Sequence, residues 1–161
     1  MFKELHSDET LKFRYSAVLR FAFNHFNLRS KRFYLYLPTM TDFKTIKLEI
    51  LDRVATITFN RPEAANGLNL AMASEFAEAA MLSDSNADVK AIILTGSGRF
   101  FCAGGDINAM QESPLGAGPG VKQIADQLHR GISTLARSAK PVIVAVNGTA
   151  AGAGFSTAVM G

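Results

Sequence analysis

Two glycine-rich segments contain the residues whose types and spacing could do chemistry. Residues 99–107 read RFFCAGGDI, and residues 147–155 read NGTAAGAGF. Glycine and alanine leave the backbone N–H open to a ligand, because no bulky side chain covers it. One N–H from each segment, aimed at a single oxygen, would form an oxyanion hole, and losing one such donor typically costs about 3–4 kcal/mol in the transition state. Either segment alone is also typical of a structural turn, so the prediction rests on the pair.

These segments need elements that bring them together, and the hydrophobic pattern predicts alternating strands and helices. Strands are predicted over residues 45–50, 54–59, 89–95 and 142–146. The first two form a hairpin, and the last two enclose a helix and form a parallel βαβ unit. The last strand is continuously apolar, which is typical of burial on both faces. Both glycine-rich segments then leave the carboxyl edge of the sheet, where open α/β sheets bind ligands.

Three helices are predicted around these strands. The first has Asn69 as its N-cap and carries four residues on its buried face, namely Met72, Phe76, Ala79 and Ala80. The second follows a Gly/Pro-rich loop over residues 113–120 and places apolar residues three or four apart, namely Val121, Ile124, Ala125, Leu128, Ile132 and Leu135. The third begins at about Ala153, where the positive end of its dipole would favour an anion.

The composition changes near residue 40. The chain has 161 residues and a net charge of +3. Residues 1–39 carry seven Lys or Arg and three Asp or Glu, whereas residues 40–161 carry ten and eleven. We therefore predict a basic, aromatic N-terminal extension over 1–39 and one domain over 40–161. The extension has three interpretations: a mitochondrial presequence, an amphipathic helix on an anionic membrane surface, or an artefact of translation upstream of Met40.

The same features limit the function class. The near-neutral domain gives no electrostatic case for binding nucleic acid. No apolar run approaches the roughly 20 residues that span a bilayer, so no membrane partner is predicted for the domain. The single cysteine, Cys102, cannot form an intrachain disulfide or supply a zinc cluster, which favours a reducing compartment. We predict a cytoplasmic protein, or a mitochondrial-matrix protein if residues 1–39 are a presequence.

Two other functions share part of the pattern. Gly148, Gly152 and Gly154 resemble the glycine-rich turn of dehydrogenases that bind a nicotinamide dinucleotide, although that turn follows the first strand of its domain. Ser156 resembles a hydrolase nucleophile, but it lies ten residues beyond the preceding predicted strand, and a nucleophile elbow follows its strand at once. The domain's one histidine, His129, is predicted on a solvated helix face, and the sequence contains no metal-ligand constellation.

Taken in order with the motifs around them, the two segments resemble the crotonase superfamily, the enoyl-CoA hydratase/isomerase group. The resemblance covers residues 43–161 and rests on three motifs, namely RPE…NGLN at 61–69, FCAGGDI at 101–107 and KPV…NGTAAGAG at 140–154. It implies an α/β fold, the crotonase-like (ClpP/crotonase) spiral of ββα units. That fold continues with further βα units, so we expect it to be incomplete at the C-terminus of this chain.

The resemblance also implies the site. In this sequence the two oxyanion donors of the family fall on the backbone N–H groups of Gly105 and Ala153. The residues expected along a bound acyl-CoA are Ala103, Gly105, Asp106, Ile107, Asn108 and Ala153. The turn around Asn66 and Leu68 is expected against the CoA moiety. Coenzyme A enters as part of the substrate, so no other cofactor is implied, and the full-length protein is expected to form homotrimers or hexamers.

The implied chemistry is the removal of a proton next to a thioester carbonyl, with the enolate oxygen held in the hole. Ser156 stands where the hydratases of the group have their first catalytic Glu, which disfavours hydration. The sequence around Ala153 resembles that of isomerases in the group, including the ring-epoxide phenylacetyl-CoA isomerases. Those enzymes move a proton with one carboxylate. Asp106 is predicted to be a structural cap, and Glu112 is the nearest alternative base. We expect the base past residue 161, and therefore little turnover from this chain alone.

Several functions remain open at this level. The leading interpretation is an acyl-CoA isomerase of the crotonase type. An enoyl-CoA hydratase or acyl-CoA hydrolase would use the same hole for another outcome. A non-catalytic module would keep CoA affinity or assembly contacts without chemistry, and a fragment of a dinucleotide-binding dehydrogenase is the remaining alternative. One scaffold hosts many reactions, so the fold cannot choose among them.

Overall fold

Two sheets and four helices make up the part of the chain that the computed structural model describes, residues 42–114 and 116–161. The extension predicted over residues 1–39 lies outside it. The strands are β1 (Ile46–Leu51), β2 (Val54–Phe59), β3 (Ala91–Gly96), β4 (Phe100–Cys102), β5 (Val142–Val144) and β6 (Thr149–Ala150). The helices are α1 (Leu70–Ser85), α2 (Ile107–Gln111), α3 (Ala117–Ala136) and α4 (Ala153–Ala158), and a 3₁₀ turn spans Pro62–Ala64.

The main sheet has the order β1-β2-β3-β5 and begins with the predicted hairpin. Strands β1 and β2 are antiparallel, and Leu51 pairs with Val54 across a two-residue turn. Asp52 and Arg53 both have positive φ, at 48° and 68°, which is the backbone that tight hairpin turns require. Every second residue of β2 is buried, so this strand has one face in the core.

The predicted parallel βαβ unit is confirmed. Strand β3 pairs in parallel with β5 on one side and with β2 on the other. The connection from β3 to β5 contains β4, α2 and α3. The prediction that the last strand is buried on both faces is wrong. Strand β5 ends the sheet, and 55% of Ile143 is exposed because nothing among the described residues covers that side chain. The strand is also shorter than predicted and stops at Val144.

Helix α1 forms as the sequence predicts. The side chain of its N-cap, Asn69, accepts a hydrogen bond from the Met72 N–H at 2.9 Å. Met72, Phe76, Ala79 and Ala80 are all fully buried. The Phe76 ring packs edge-on against Phe59 of β2, with 5.5 Å between the ring centroids. The helix therefore buries its apolar face against the main sheet, as its spacing of apolar residues requires.

Helix α3 begins earlier than predicted, at Ala117 within the Gly/Pro-rich loop. Pro119 is compatible with this start because the N–H groups of a first helical turn have no partner inside the helix. Ile124, Leu128 and Leu135 are buried as the spacing predicts, whereas Val121 is 42% exposed. A Gly/Pro-rich stretch that is typical of a loop can therefore also form the first turn of a helix.

Helix α3 crosses α1 closely at Gly131. A Cβ atom added there would lie 2.5 Å from Cε1 of Phe76 and 3.2 Å from Cα of Ala77. We expect Gly131→Ala to lower the free energy of unfolding by about 1–3 kcal/mol, because the packed ring must shift. Gly118→Ala is the matched control on the same helix, with no atom within 4 Å of its Cβ. It should stabilise by up to about 1 kcal/mol through helix propensity. Urea unfolding measures both, and equal effects would contradict the close crossing.

Candidate active site

The two glycine-rich segments are joined by a two-stranded parallel sheet. Strand β4 pairs with β6, with Phe100 opposite Thr149 and Cys102 opposite Ala150. Beyond β6, the Ala151 N–H donates to the carbonyl of Cys102 at 3.0 Å. The prediction that both segments leave the same edge of the sheet is therefore confirmed in a stronger form, because the segments bind each other directly.

Small residues allow this close contact. A Cβ atom at Gly154 would overlap the carbonyl oxygen of Cys102, so α4 can lie against β4 only with glycine there. Gly104 has a φ of +103°, and a Cβ atom on it would lie 2.9 Å from the carbonyl oxygen of Ala151. Such a φ favours glycine for conformational reasons as well as steric ones. The glycines that the sequence suggested for ligand access thus also bring the two backbones together.

The two predicted oxyanion donors are held by the bonds of their neighbours. Leu68 donates its N–H to the Gly104 carbonyl at 2.8 Å and accepts from the Asp106 N–H at 3.0 Å, which fixes the peptides on both sides of Gly105. Ala153 is the first residue of α4. Within the described residues, neither the Gly105 N–H nor the Ala153 N–H donates a hydrogen bond. Both N–H groups therefore have no acceptor among the described residues.

Asn66 is fully buried and organises the first segment. Its Oδ1 accepts from the Arg61 N–H at 2.9 Å, and its Nδ2 donates to the carbonyls of Ser97 and Phe100 at 2.9 and 2.7 Å. A third carbonyl, that of Phe101, lies 3.2 Å from the same nitrogen. The carboxamide is thus engaged with backbone, and any contact of this turn with a ligand must come from other atoms.

Asp106 caps α2, as the sequence predicts. Its Oδ1 accepts from the Ala109 N–H at 3.2 Å, and its Oδ2 lies 2.9 Å from Nη2 of Arg61. The same guanidinium also donates to the Gly67 carbonyl. Burial alone would raise the pKa of the Asp106 carboxyl, but the hydrogen bonds from Ala109 and Arg61 and the charge of Arg61 outweigh it and lower the pKa. A carboxylate held in this way is a poor base.

Glu75 on α1 is a second carboxylate of this kind, away from the glycine-rich segments. It accepts from the N–H and Oγ1 of Thr45, at 2.8 and 2.6 Å, and from the Ile46 N–H at 3.1 Å. Burial would raise its pKa, but these bonds and one from the Lys44 N–H outweigh burial, and its pKa is lowered. The carboxylate joins the start of β1 to α1.

The lowered pKa values of Asp106 and Glu75 predict loss of stability in acid. A carboxyl with a folded pKa below its unfolded value stabilises the fold above the unfolded pKa, and this contribution is lost as the pH falls through the folded pKa. The ordinary pKa values are 3.8 for Asp106 and 4.5 for Glu75. The free energy of unfolding should therefore decrease as the pH is lowered past these values. Asp106→Asn and Glu75→Gln should each reduce this pH dependence. Urea unfolding between about pH 6 and about pH 3 checks it, and unchanged slopes would contradict it.

The remaining predicted residues differ in exposure. Ala103 and Asn108 are exposed, Ile107 is 68% exposed, and Leu68 is fully buried. Of the alternatives, Ser156 on α4, His129 on α3 and Glu112 at the end of α2 are all exposed. No group of His, Cys, Asp and Glu suited to a metal ion occurs in the described residues. Burial raises the pKa of the Cys102 thiol, so it remains protonated near neutral pH.

Comparison with known proteins decides the family. The profile of the family described as enoyl-CoA hydratase/isomerase matches residues 49–161. The chain belongs to this family. The resemblance to the crotonase group is therefore confirmed. So is the α/β crotonase fold, because an enoyl-CoA hydratase of Bacillus anthracis superposes with a TM-score of 0.66 at 27% identity, covering 73% of this chain and 45% of that one.

Curated relatives in the enoyl-CoA hydratase/isomerase family include proteins named as isomerases and proteins named as hydratases. The chain is 39% identical to the 1,2-epoxyphenylacetyl-CoA isomerase of Escherichia coli, over 67% of this chain and 42% of that protein. It is 38% identical to a probable enoyl-CoA hydratase of Rhodobacter capsulatus, over 73% of this chain and 44% of that protein. The chain thus spans less than half the length of these relatives.

No helix in residues 42–114 and 116–161 is long and apolar enough to cross a bilayer.

Two asparagines have backbone roles that the sequence analysis does not predict. The placement of the Asn66 turn against the CoA moiety stays a prediction, and the buried Asn66 side chain binds backbone, as does the side chain of Asn147. Each precedes a glycine, and the Asn-Gly dipeptide is a turn signal because the carboxamide binds nearby backbone. That signal was present in both motifs, but only the structure shows which backbone groups the two side chains bind.

Proposed function

We propose that this chain binds an acyl-CoA thioester and stabilises its enolate with the N–H groups of Gly105 and Ala153. One observation supports this above the others. Two backbone N–H groups that have no acceptor within residues 42–114 and 116–161 lie on segments that pair with each other through β4 and β6. Membership of the enoyl-CoA hydratase/isomerase family supports the substrate class.

The chemistry follows from what two amide donors can do. A thioester carbonyl lacks the resonance of an amide, so a modest base removes the proton on the adjacent carbon. The electron pair then moves onto the carbonyl oxygen, where two fixed donors stabilise the negative charge more than they stabilise the neutral carbonyl. Because the donors belong to the backbone, they need little reorganisation as the charge develops.

For the substrate itself, we propose contacts with residues beside the donors. Ala103, Ile107 and Asn108 are exposed around the first donor and are available to a ligand. The turn around Asn66 and Leu68 would meet the CoA moiety through its backbone, since both side chains are buried. No cofactor is proposed beyond the CoA of the substrate. We also propose a homotrimer or hexamer for the longer protein, in the cytoplasm or, if residues 1–39 are a presequence, the mitochondrial matrix.

Isomerisation is the preferred outcome of enolate formation. Ser156 is a serine where the hydratases have a glutamate, and Asp106 is committed to Ala109 and Arg61. We therefore propose that a carboxylate outside the described residues moves the proton, and that this chain alone turns over slowly. Hydration is the second candidate, favoured by the names of relatives such as the probable hydratase of Rhodobacter capsulatus. Glu112 is exposed and available as an alternative base.

The test measures carbonyl polarisation first and products second. Crotonyl-CoA labelled with ¹³C at the carbonyl is mixed with the chain, and the infrared band of the bound thioester should move to lower wavenumber. Exchange of the α-protons of butyryl-CoA with deuterium should accelerate, since the buffer can supply the base. Mass spectrometry then separates the outcomes, because isomerisation leaves the mass unchanged and hydration adds a water. Binding without a band shift or exchange would favour a non-catalytic CoA-binding module, and no binding would contradict the proposal.

A further inference from the structure

Asn147 binds the turn that leads into the first donor segment. It lies between β5 and β6, at the start of the second segment. Its Oδ1 accepts from the Gly96 N–H at 3.0 Å, and its Nδ2 donates to the Gly98 carbonyl at 2.9 Å. One carboxamide therefore binds both a donor and an acceptor of the turn between β3 and β4, although about fifty residues separate Asn147 from this turn in the sequence.

Asn66, which precedes this turn in the sequence, also binds it. That carboxamide donates to the carbonyls of Ser97 and Phe100, whereas Asn147 binds Gly96 and Gly98. The two side chains share no acceptor, so each fixes a different part of residues 96–101. They differ in burial, since Asn66 is fully buried and Asn147 is exposed. Only Asn147 can be changed without opening the core.

The bonds of Asn147 precede a continuous set of contacts between the two segments, which runs as far as Ala151, two residues before Ala153. A Cβ atom at the next residue, Gly148, would overlap the Arg99 carbonyl. Thr149 and Ala150 then pair with β4, and the Ala151 N–H binds Cys102. The carboxamide thus binds at the point where the second segment meets the first, and β6 pairs with β4 directly after it, with one irregularity between Phe100 and Cys102.

We propose that Asn147 is a positioning residue for the oxyanion hole, which sets the alignment of the Ala153 donor relative to the Gly105 donor. This inference rests on the proposed function. It predicts that loss of the carboxamide weakens polarisation of a bound carbonyl more than it weakens binding or folding. A hydrogen bond is steeply sensitive to distance and angle, and an ångström of misplacement can cost about a hundredfold in rate.

The experiment compares three variants of the whole chain with the unchanged protein. Asn147→Ala removes the bonds to Gly96 and Gly98 and a longer one from Thr95 Oγ1 at 3.5 Å. Asn147→Asp keeps the acceptor oxygen and loses the donor to Gly98. The matched control is Asn86→Ala, which removes a carboxamide that binds only a nearby backbone N–H, that of Asp88. The readouts are the carbonyl band of bound ¹³C-crotonyl-CoA, the α-proton exchange rate of butyryl-CoA, the dissociation constants and the thermal unfolding midpoint.

We expect Asn147→Ala to slow exchange about tenfold and to return the carbonyl band part of the way to its position in water, with affinity changed less than about twofold. Asn147→Asp should lie between this variant and the unchanged protein, and Asn86→Ala should match the unchanged protein. An unaltered band and exchange rate in Asn147→Ala would overturn the inference while leaving the proposed function intact. So would an equal loss in Asn86→Ala, or a loss explained entirely by unfolding. No band shift in the unchanged protein would overturn both.

Discussion

Replacing Ala153 with proline is expected to remove most enolate stabilisation while the fold remains intact. Proline has no N–H, so one of the two proposed donors disappears. Ala153 is the first residue of α4, where proline is favoured because its φ suits a helix start. The preceding residue, Gly152, has no Cβ to clash with the proline ring. The α-proton exchange rate of butyryl-CoA should fall by about 10²–10³, which corresponds to the loss of about 3–4 kcal/mol.

The control for this variant is Ala153→Gly, which keeps the N–H and removes only the methyl group. Its exchange rate should stay within a few-fold of the unchanged protein, and both variants should unfold within about 1 kcal/mol of it. Deuterium incorporation followed by mass spectrometry gives the rates, and urea unfolding gives the stabilities. Equal rates in Ala153→Pro and Ala153→Gly would show that this N–H does not act on the thioester.

The variant Asn66→Asp is expected to unfold the site, with a cost of at least about 3 kcal/mol. The substitution keeps the shape of the side chain and the acceptor for the Arg61 N–H. It replaces the Nδ2 donor with an oxygen that faces the carbonyls of Ser97, Phe100 and Phe101. Those carbonyls lose their donor, and a charged group is buried against them. Urea unfolding near neutral pH measures the loss.

Three residues away, Asn69→Asp makes the same chemical change with the opposite expectation. Asn69 uses its Oδ1 to accept from the Met72 N–H at the start of α1. A carboxylate serves equally well as an N-cap and interacts favourably with the helix N-terminus, by about 0.3–1 kcal/mol. The pair of variants therefore separates the role of the Nδ2 donor from any general effect of a new charge. Similar losses in both would contradict the account of Asn66.

The sequence predicted the elements whose signals are local. Strand β2 occupies the predicted residues 54–59, and Asn69 caps α1 as its position before an apolar helical pattern indicates. Asp106 caps α2 for the same reason, since a short acidic side chain can bind the N–H groups of a first turn. The order of the glycine-rich motifs predicted the family to which the chain belongs, because a compound pattern is far more specific than any single turn.

The structure differs where long-range packing decides. Strands β4 and β6 have three and two residues and show no periodicity, so only their mutual pairing makes them strands. The apolar run at residues 142–146 predicts burial on both faces, but β5 is an edge strand among the described residues and exposes Ile143. The backbone partners of the Asn66 side chain were not predicted, since no local pattern reveals which carbonyls a carboxamide will meet.

Main-chain donors, as proposed for Gly105 and Ala153, bear on how such a protein diverges over generations. Every amino acid except proline carries an amide hydrogen, so drift in the codons for Gly105 and Ala153 rarely deletes the donor itself. Side chains that transfer protons have no such protection, because a single substitution removes the titratable group. A pocket built from backbone donors therefore persists while the product of the reaction changes, and relatives of this chain are named both as an isomerase and as a probable hydratase.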